Sequence, residues 1–232
     1  MAEQERAIRT RRAILLAAAK VFEERGYQTA TISEILSTAG VTKGALYFHF
    51  QSKDDLAQGV LAAQNQNLVI PERASKVQEI VDIVLLHTYR LQTDPMVRAG
   101  VRLTMDHQAQ GLDRSGPFTS WGDMVRERLE KAQAQGELLP HVNAAETADI
   151  VVGSYAGIQA MSQALSDYRD LVERANALLR HLLPSVVLSS VLTSVDLAED
   201  RGARVYAESA QRSAELAESA ESAEAASAGL PA

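Results

Sequence analysis

The sequence predicts an all-α fold, with an N-terminal three-helix domain, a larger helical domain and a low-complexity tail. Along most of the 232 residues, apolar positions recur at the spacing of helix faces, and no segment alternates as a strand would. The clearest helix boundaries, a capping box and a glycine stop, fall between Thr31 and Leu56. We therefore predict domains at residues 1–53 and 54–206, followed by a tail at 207–232.

The first helix is predicted over residues 6–25, where Gly26 ends it. Its apolar stripe recurs every three or four residues, as one buried face of a helix requires. The residues of that stripe are Ile14, Leu15, Ala18, Val21 and Phe22.

Two short helices joined by a glycine turn follow. Thr31 and Glu34 have the spacing of a capping box, which begins the first of them. Gly40 stands where a left-handed residue would end that helix, and Thr42 can cap the next one. This spacing is typical of a helix-turn-helix, a motif whose second helix lies in the major groove of DNA.

The second short helix leaves polar and aromatic side chains on its outer side. Leu46 and Phe50 are four residues apart and are predicted to point inward. Lys43 suits a guanine edge or a phosphate, and Phe48 suits a thymine methyl group. A buried core helix is the alternative, but it has little use for a lysine and a histidine beside three aromatic residues. The residues predicted to contact DNA are Arg9, Thr31, Ser33, Thr42, Lys43, Gly44, Ala45, Tyr47, Phe48, His49 and Lys53.

The charge distribution also separates the two parts of the chain. The net charge is −7, but residues 1–64 carry eight Lys and Arg against seven Asp and Glu, and the remainder carries fifteen against twenty-three. An N-terminal arm is basic, and such arms follow a phosphate backbone or enter a minor groove; a solvated helix start is the alternative. The arginines of this arm are Arg6, Arg9, Arg11 and Arg12.

The rest of the chain is predicted to be helical up to its tail. The tail is rich in Ala, Ser and Glu and almost free of branched apolar residues, so we expect it to be disordered or a frayed helix. Connections are expected at 67–74 and 111–117, and residues 185–206 are predicted as an extension of the helical part. The predicted helices are 53–66, 77–91, 96–108, 118–132, 144–165 and 170–183.

The segment AGVTKGALYFHFQSKDDL resembles the signature of the TetR family of repressors. In finer detail, VTKGALYFHF followed by RAGVRL, GPFTSW and GELLPHV resembles the γ-butyrolactone autoregulator receptors of actinomycete bacteria. The resemblance implies an all-helical homodimer that binds a palindromic DNA operator, controls secondary metabolism and leaves DNA when a small lactone-type signal binds.

A chamber for such a signal needs apolar walls and a few polar groups. Trp121 is the only tryptophan of the chain, and the resemblance leaves a ligand contact and a plain core position as equal alternatives. Residues of the other candidate types, taken singly, are more often satisfied core polar groups or surface residues than ligand contacts. No cationic cluster accompanies these residues, which agrees with an uncharged ligand. The predicted ligand-binding residues are Trp121, Gln64, Thr104, His107, Tyr155, Gln159 and Ser162.

The expected dimer surface lies on the last long helices, which could pair with their copies as a four-helix bundle. Small residues there would allow two helices to approach closely, although close packing within one subunit explains them equally well. They are Gly153, Ala156, Gly157 and Ala160.

Other functional classes find little support. The chain has no cysteine, no P-loop and no HExxH motif, so we predict neither an enzyme nor a cofactor or metal site. The first residues lack the apolar core of a signal peptide, and the longest apolar run, 182–192, is too short and polar to span a bilayer. A cytoplasmic protein without membrane contact is expected. The main alternative is a TetR-type repressor that senses another hydrophobic metabolite or a drug, for example at an efflux gene.

Overall fold

The computed structural model of the chain describes residues 2–64, 69–106 and 114–228. The all-α prediction is confirmed, because these ranges contain no strand beyond one isolated bridge between Leu138 and Val187. The helices are α1 (Ala2–Arg25), α2 (Ile32–Ala39), α3 (Lys43–His49), α4 (Lys53–Ala63), α5 (Lys76–Thr93), α6 (Pro95–Met105), α7 (Ser115–Ala134), α8 (Ala144–Ser166), α9 (Leu171–Val186), α10 (Ser189–Leu192) and α11 (Arg201–Ala228).

The chain forms two compact units, and the first comprises Met1–Gln66 together with Arg90–Ser120. In this unit α1 packs against α2, α3, α4 and α6. The apolar stripe predicted for the first helix is buried, since all five of its side chains are at most 5% exposed. Leu46 of α3 and Leu56 of α4 lie in the same core and are fully buried. The core therefore fixes α3 through its inward face only.

The second unit comprises Asn67–Tyr89 and Trp121–Ala232. Helices α8 and α9 pack against each other, and the core around them includes Val81, Val125, Tyr155 and Leu179. Helix α5 begins against a side chain distant in sequence. The buried carboxylate of Glu137 accepts hydrogen bonds from the backbone N–H groups of Lys76 and Val77, at 3.0 and 2.9 Å. This carboxylate satisfies two of the free donors of the first turn of α5.

A buried ion network holds α11 against α5. The carboxylate of Asp82 is fully buried and accepts from Arg73 at 2.7 Å and from Arg201 at 2.6 Å. Arg73 also pairs with Glu208 at 2.6 Å. Glycine at 202 lets the two helices approach, because a Cβ there would stand 3.0 Å from the Cβ of Tyr89. Helix α11 is thus anchored by paired charges together with apolar contact, since Val205 is fully buried and the Tyr206 ring lies 5.3 Å from that of Tyr89.

The helix bounds differ from the prediction at several ends. For the tail, expected to be disordered or a frayed helix, helix α11 runs as far as Ala228. Ala and Glu are strong helix formers, and Ser209 is buried. The expected connection at 111–117 is helical from Ser115 onward, because Pro117 lies in a first turn, where its missing N–H costs nothing. The first helix starts four residues earlier than expected, at Ala2.

Candidate nucleic-acid interface and ligand site

The caps predicted for α2 and α3 are present. The side chain of Thr31 accepts from the backbone N–H of Glu34 at 3.2 Å, and the Glu34 carboxylate accepts from the Thr31 N–H at 3.0 Å. The Thr31 hydroxyl also donates to the Glu34 carboxylate at 2.9 Å, and this hydrogen bond, followed by the one from the Thr31 N–H, lowers the pKa of Glu34. Gly40 ends α2 with a φ of 64°, and the Thr42 hydroxyl accepts from the N–H of Ala45 at 3.2 Å. The entry angle of α3 is therefore set locally by side chains of the loop.

Helix α3 leaves one face open to solvent, as predicted. Phe48 is 81% exposed and Tyr47 is 43% exposed, while Leu46 is fully buried. Lys43 and Gly44 are also exposed, and a Cβ added at Gly44 would meet no atom within 4 Å. The subunit itself does not require glycine there, so the absence of a side chain leaves room for a partner. We call Lys43, Gly44, Tyr47 and Phe48 the recognition surface.

Several other predicted DNA contacts lie near this surface. The Lys43 ammonium stands 5.8 Å from the centre of the Tyr47 ring. His49 is partly buried, with its ring 5.0 Å from that of Phe48, and Ala45 is partly buried behind the exposed face. The remaining predicted contacts with exposed side chains are Arg9, Thr31, Ser33 and Thr42.

Lys53 has a different environment from the one its predicted role suggests. Its ammonium donates to the carbonyl of Gln28 at 3.2 Å and to that of Ala30 at 2.9 Å. It also lies 4.5 Å from the centre of the Tyr27 ring, and partial burial lowers the pKa of Lys53. Two of its three N–H groups hold the connection between α1 and α2, which leaves one for a phosphate.

A polar cluster surrounds Tyr155 in the second unit. The Thr88 hydroxyl donates to the Val84 carbonyl at 2.8 Å, so its oxygen must accept from the Tyr155 hydroxyl, 2.7 Å away. Gln159 also hydrogen-bonds Tyr155. Burial raises the pKa of Tyr155, which keeps the phenol neutral. Both hydroxyl groups are thus oriented by a continuous chain of hydrogen bonds.

Aromatic contacts join Trp121 to this chain. The His87 ring lies 4.4 Å from the Trp121 ring and 5.8 Å from the Tyr155 ring, the latter edge-on. Trp121, Tyr155 and Gln159 are therefore brought together, as their joint prediction requires. His87 and Thr88 complete the group but were missed from the sequence, where the only signal is a polar pair inside the apolar stripe of α5. We call these five residues the Tyr155 cluster.

The other predicted ligand-binding residues lie elsewhere. The Ser162 hydroxyl donates to the Asp170 carboxylate at 2.6 Å, and the pKa of Asp170 falls to about 2 because Ser162 and Ser166 both donate to it. Ser162 therefore serves the turn between α8 and α9. Gln64 and Thr104 are buried in the first unit, and His107 lies outside the described residues.

The small residues predicted for a dimer surface are partly solvent-exposed. Gly153, Gly157 and Ala160 are exposed, whereas Ala156 is half-buried. Large apolar side chains lie on the same side of α8, with Ile150 at 56%, Met161 at 49% and Leu165 at 66% exposure. Such a run of exposed apolar groups along one helix is typical of a surface that another helix covers.

None of the helices described is both long and apolar enough to cross a membrane. Across the same part of the chain, His, Asp and Glu side chains do not gather in threes at metal-binding distances.

Comparison with known proteins places the chain in a family. Residues 14–60 match the family "Bacterial regulatory proteins, tetR family", and residues 74–187 match "Tetracyclin repressor-like, C-terminal domain". The A-factor receptor protein of Streptomyces griseus is 38% identical over 93% of this chain and 79% of its own length.

Solved structures agree with this placement. TylP, a TetR regulator from Streptomyces fradiae, is 44% identical with a TM-score of 0.79, covering 90% of this chain and 94% of its own. A gamma-butyrolactone receptor described as ArpA-like is 30% identical with a TM-score of 0.63, covering 90% and 99%. CprB from Streptomyces coelicolor, solved with its operator, is 29% identical with a TM-score of 0.67, covering 89% and 97%. The chain belongs to the TetR family of bacterial transcription regulators.

Proposed function

We propose that this regulator is a repressor that binds a palindromic operator as a homodimer through the recognition surface. The observation that carries the proposal is Phe48, 81% exposed beside Lys43 and Tyr47 on a helix whose other face is fully buried. A large aromatic side chain in water has no role within the subunit, whereas in the major groove it could contact a thymine methyl group. Such a protein would work in the cytoplasm, where the DNA is.

The proposed recognition of DNA bases requires a dimer. One recognition helix buries too little surface for useful specificity, so two copies would read half-sites roughly 34–36 Å apart, or a multiple of that. The apolar face of α8 around Gly153 and Gly157 is our candidate for the surface that joins the copies.

Substitution of Lys43 tests the proposal that the recognition surface binds DNA. Lys43→Ala should weaken operator binding by about 1–3 kcal/mol if the ammonium contacts a guanine. The matched control is Lys131→Ala, which removes a lysine of the second unit that is 56% exposed. The measurement is the gel-shift affinity for a duplex that the wild-type protein has selected from a random library. Unchanged affinity in both Lys43→Ala and Tyr47→Ala would rule out this recognition surface.

We further propose that a γ-butyrolactone or a similar lactone or butenolide occupies the Tyr155 cluster and releases the operator. The cluster combines aromatic surface with hydroxyl and amide groups, and Tyr155 is held neutral by burial. This chemistry suits a small uncharged ligand with carbonyl or hydroxyl groups. The names of the A-factor receptor and gamma-butyrolactone receptor relatives support the same class.

The effector can release DNA only if it prefers the conformation that fits DNA poorly, with a coupling of about 1–3 kcal/mol. Trp121→Ala should abolish release by synthetic γ-butyrolactones and leave operator affinity unchanged, because α3 does not carry this residue. Equal release of both proteins would refute the site. Release of the wild type by hydrophobic drugs, and not by lactones, would favour the alternative, a drug- or metabolite-sensing repressor at an efflux gene.

A further inference from the structure

Helix α11 lies closest to α5 along a single turn, residues 85–89. A Cβ added at Gly202 would stand 3.0 Å from the Cβ of Tyr89 and 3.1 Å from the backbone carbonyl carbon of Leu85, and closer still to the oxygen of that carbonyl. A backbone carbonyl cannot move aside as the end of a flexible side chain can, so any side chain at 202 would push the two helices apart. The glycine is therefore what allows α11 to lie so close to the 85–89 turn.

Contacts on both sides of this glycine keep α11 in its position. The Arg201 guanidinium donates two hydrogen bonds to the buried Asp82 carboxylate of α5, at 2.8 and 2.6 Å. Such a two-pronged pair fixes orientation as well as distance. Val205 follows one turn later and is fully buried, and the Tyr206 ring lies 5.3 Å from that of Tyr89. The first turns of α11 are therefore held against α5 by charge and by apolar packing together.

The same turn of α5 supplies two of the five residues of the Tyr155 cluster. His87 and Thr88 both lie within the 85–89 turn. The Thr88 hydroxyl accepts from Tyr155 at 2.7 Å, and the His87 ring lies 4.4 Å from the Trp121 ring. A displacement of the turn would lengthen or bend the hydrogen bond to Tyr155, whose strength falls steeply as its geometry worsens. The contact made by α11 therefore acts on the part of α5 that completes the cluster.

We propose that α11, through its close contact at Gly202, holds the 85–89 turn in the orientation in which the Tyr155 cluster binds its effector. None of the five cluster residues lies on α11, so the helix acts on effector affinity through α5. Molecules in which the turn is displaced bind the effector poorly, and the apparent affinity falls with the fraction of molecules in which α11 is in place. The proposal deepens the proposed function, on which its effector part rests, while the geometry of the cluster can be tested without any effector.

Fluorescence of the full-length protein tests the effect of α11 on the cluster directly. Trp121 is the only tryptophan, so its emission reports on this site alone. Gly202→Ala should increase the quenching of Trp121 by acrylamide about twofold, because the His87 ring that packs against it would be displaced. The control is Ala210→Gln, which enlarges an exposed side chain of the same helix and should leave quenching unchanged. Wild-type quenching in a folded Gly202→Ala protein would overturn the proposal.

Operator release measures the consequence for effector binding. In Gly202→Ala, the concentration of a synthetic γ-butyrolactone that releases half of the operator should rise about tenfold. Operator affinity without the lactone should stay within about twofold of the wild type, because α3 and its caps belong to the first unit. An equal loss of operator affinity would mean that α11 supports the whole fold, and the proposal would fail. A wild type that ignores lactones would refute the proposed effector and leave the fluorescence test intact.

A second variant separates positioning from stability and serves even if Gly202→Ala does not fold. Val205→Ala loosens the same contact by removing buried methyl groups instead of adding one. Its matched control is Val187→Ala, which makes the same change at a position 2% exposed in the same unit, outside the helices that form the cluster. Both should lower the melting temperature, but only Val205→Ala should increase Trp121 quenching and the lactone concentration for half-release. Equal changes in the two variants would show that α11 contributes stability alone, which would overturn the proposal.

Discussion

The recognition surface and the Tyr155 cluster differ in how their polar groups are satisfied. On α3, the Lys43 ammonium lies 5.8 Å from the centre of the Tyr47 ring, and Phe48 faces solvent. In the cluster, Tyr155 is 3% exposed and its hydroxyl is hydrogen-bonded to Thr88. One surface comes from a single short helix, whereas the other needs residues of α5, α7 and α8. Polar groups that bind a large partner can remain exposed in the free protein. Those of a small-molecule site are buried and must be hydrogen-bonded within the protein itself.

This difference predicts that the arrangement of the Tyr155 cluster depends on residues distant in sequence, whereas that of the recognition surface is set mainly by neighbouring residues. The largest effect is expected from Asp82→Asn, which keeps the shape of a fully buried side chain but removes its charge. Arg73 and Arg201 would then face a neutral amide, at a cost of about 3–5 kcal/mol in the free energy of unfolding. Chemical denaturation would measure this loss of unfolding free energy. A loss no larger than that caused by removing an exposed ion pair such as Lys131–Glu127 would show that the Asp82 network does not stabilise the fold.

The second prediction concerns a hydrogen bond within the Tyr155 cluster, and the expected effect on stability is smaller. Thr88→Val removes the acceptor of the Tyr155 hydroxyl and leaves a buried donor with one partner fewer, which should cost about 1–3 kcal/mol of stability. Release by a γ-butyrolactone should weaken too, while operator affinity stays at the wild-type value. A matched change outside the cluster is Thr119→Val, whose exposed hydroxyl bonds only the backbone of its own helix. Equal loss of stability in the two variants would contradict a special role for Thr88.

The smallest effect should come from the local caps that set the recognition surface. Thr42→Ala removes the side chain that accepts from the Ala45 N–H, and loss of such a cap costs about 1 kcal/mol. We expect a modest fall in melting temperature together with weaker operator binding, since α3 would fray at its first turn. Thr42→Ser, which keeps the hydroxyl, should behave like the wild type. If serine does not rescue alanine, the hydroxyl does not act as the cap.

The same contrast explains what the sequence could predict. The capping box of Thr31, the stop at Gly40 and the inward pair Leu46 and Phe50 are all local patterns, so α2 and α3 followed from a few neighbouring residues. Ser162 lies on the same helix as Tyr155 and Gln159, but its hydroxyl donates to Asp170 in the following turn, which nothing in its own neighbourhood indicated.

Contacts between distant segments could not be predicted in the same way. Composition alone pointed to disorder or fraying after residue 206, because the residues that anchor α11 are few and one of them, Arg201, pairs with a residue far away in the chain. Its partner, Asp82, lies on α5 and gives no sign in the sequence that it will be buried. His87 and Thr88 were missed for the same reason, since their importance comes from α7 and α8 packing over them.

The pairing of Asp82 with Arg201 also bears on the order in which the chain can fold during synthesis. The two residues are 119 positions apart, so Asp82 leaves the ribosome long before its partner exists. Until then a carboxylate on the helix that carries Thr88 has only Arg73 and Gln78 to satisfy it, at 2.7 and 2.8 Å in the finished fold. Contacts of such long range slow folding and are made late. The nascent regulator should therefore complete its first unit, with α3 and α6, well before the helices around Tyr155 reach their final packing.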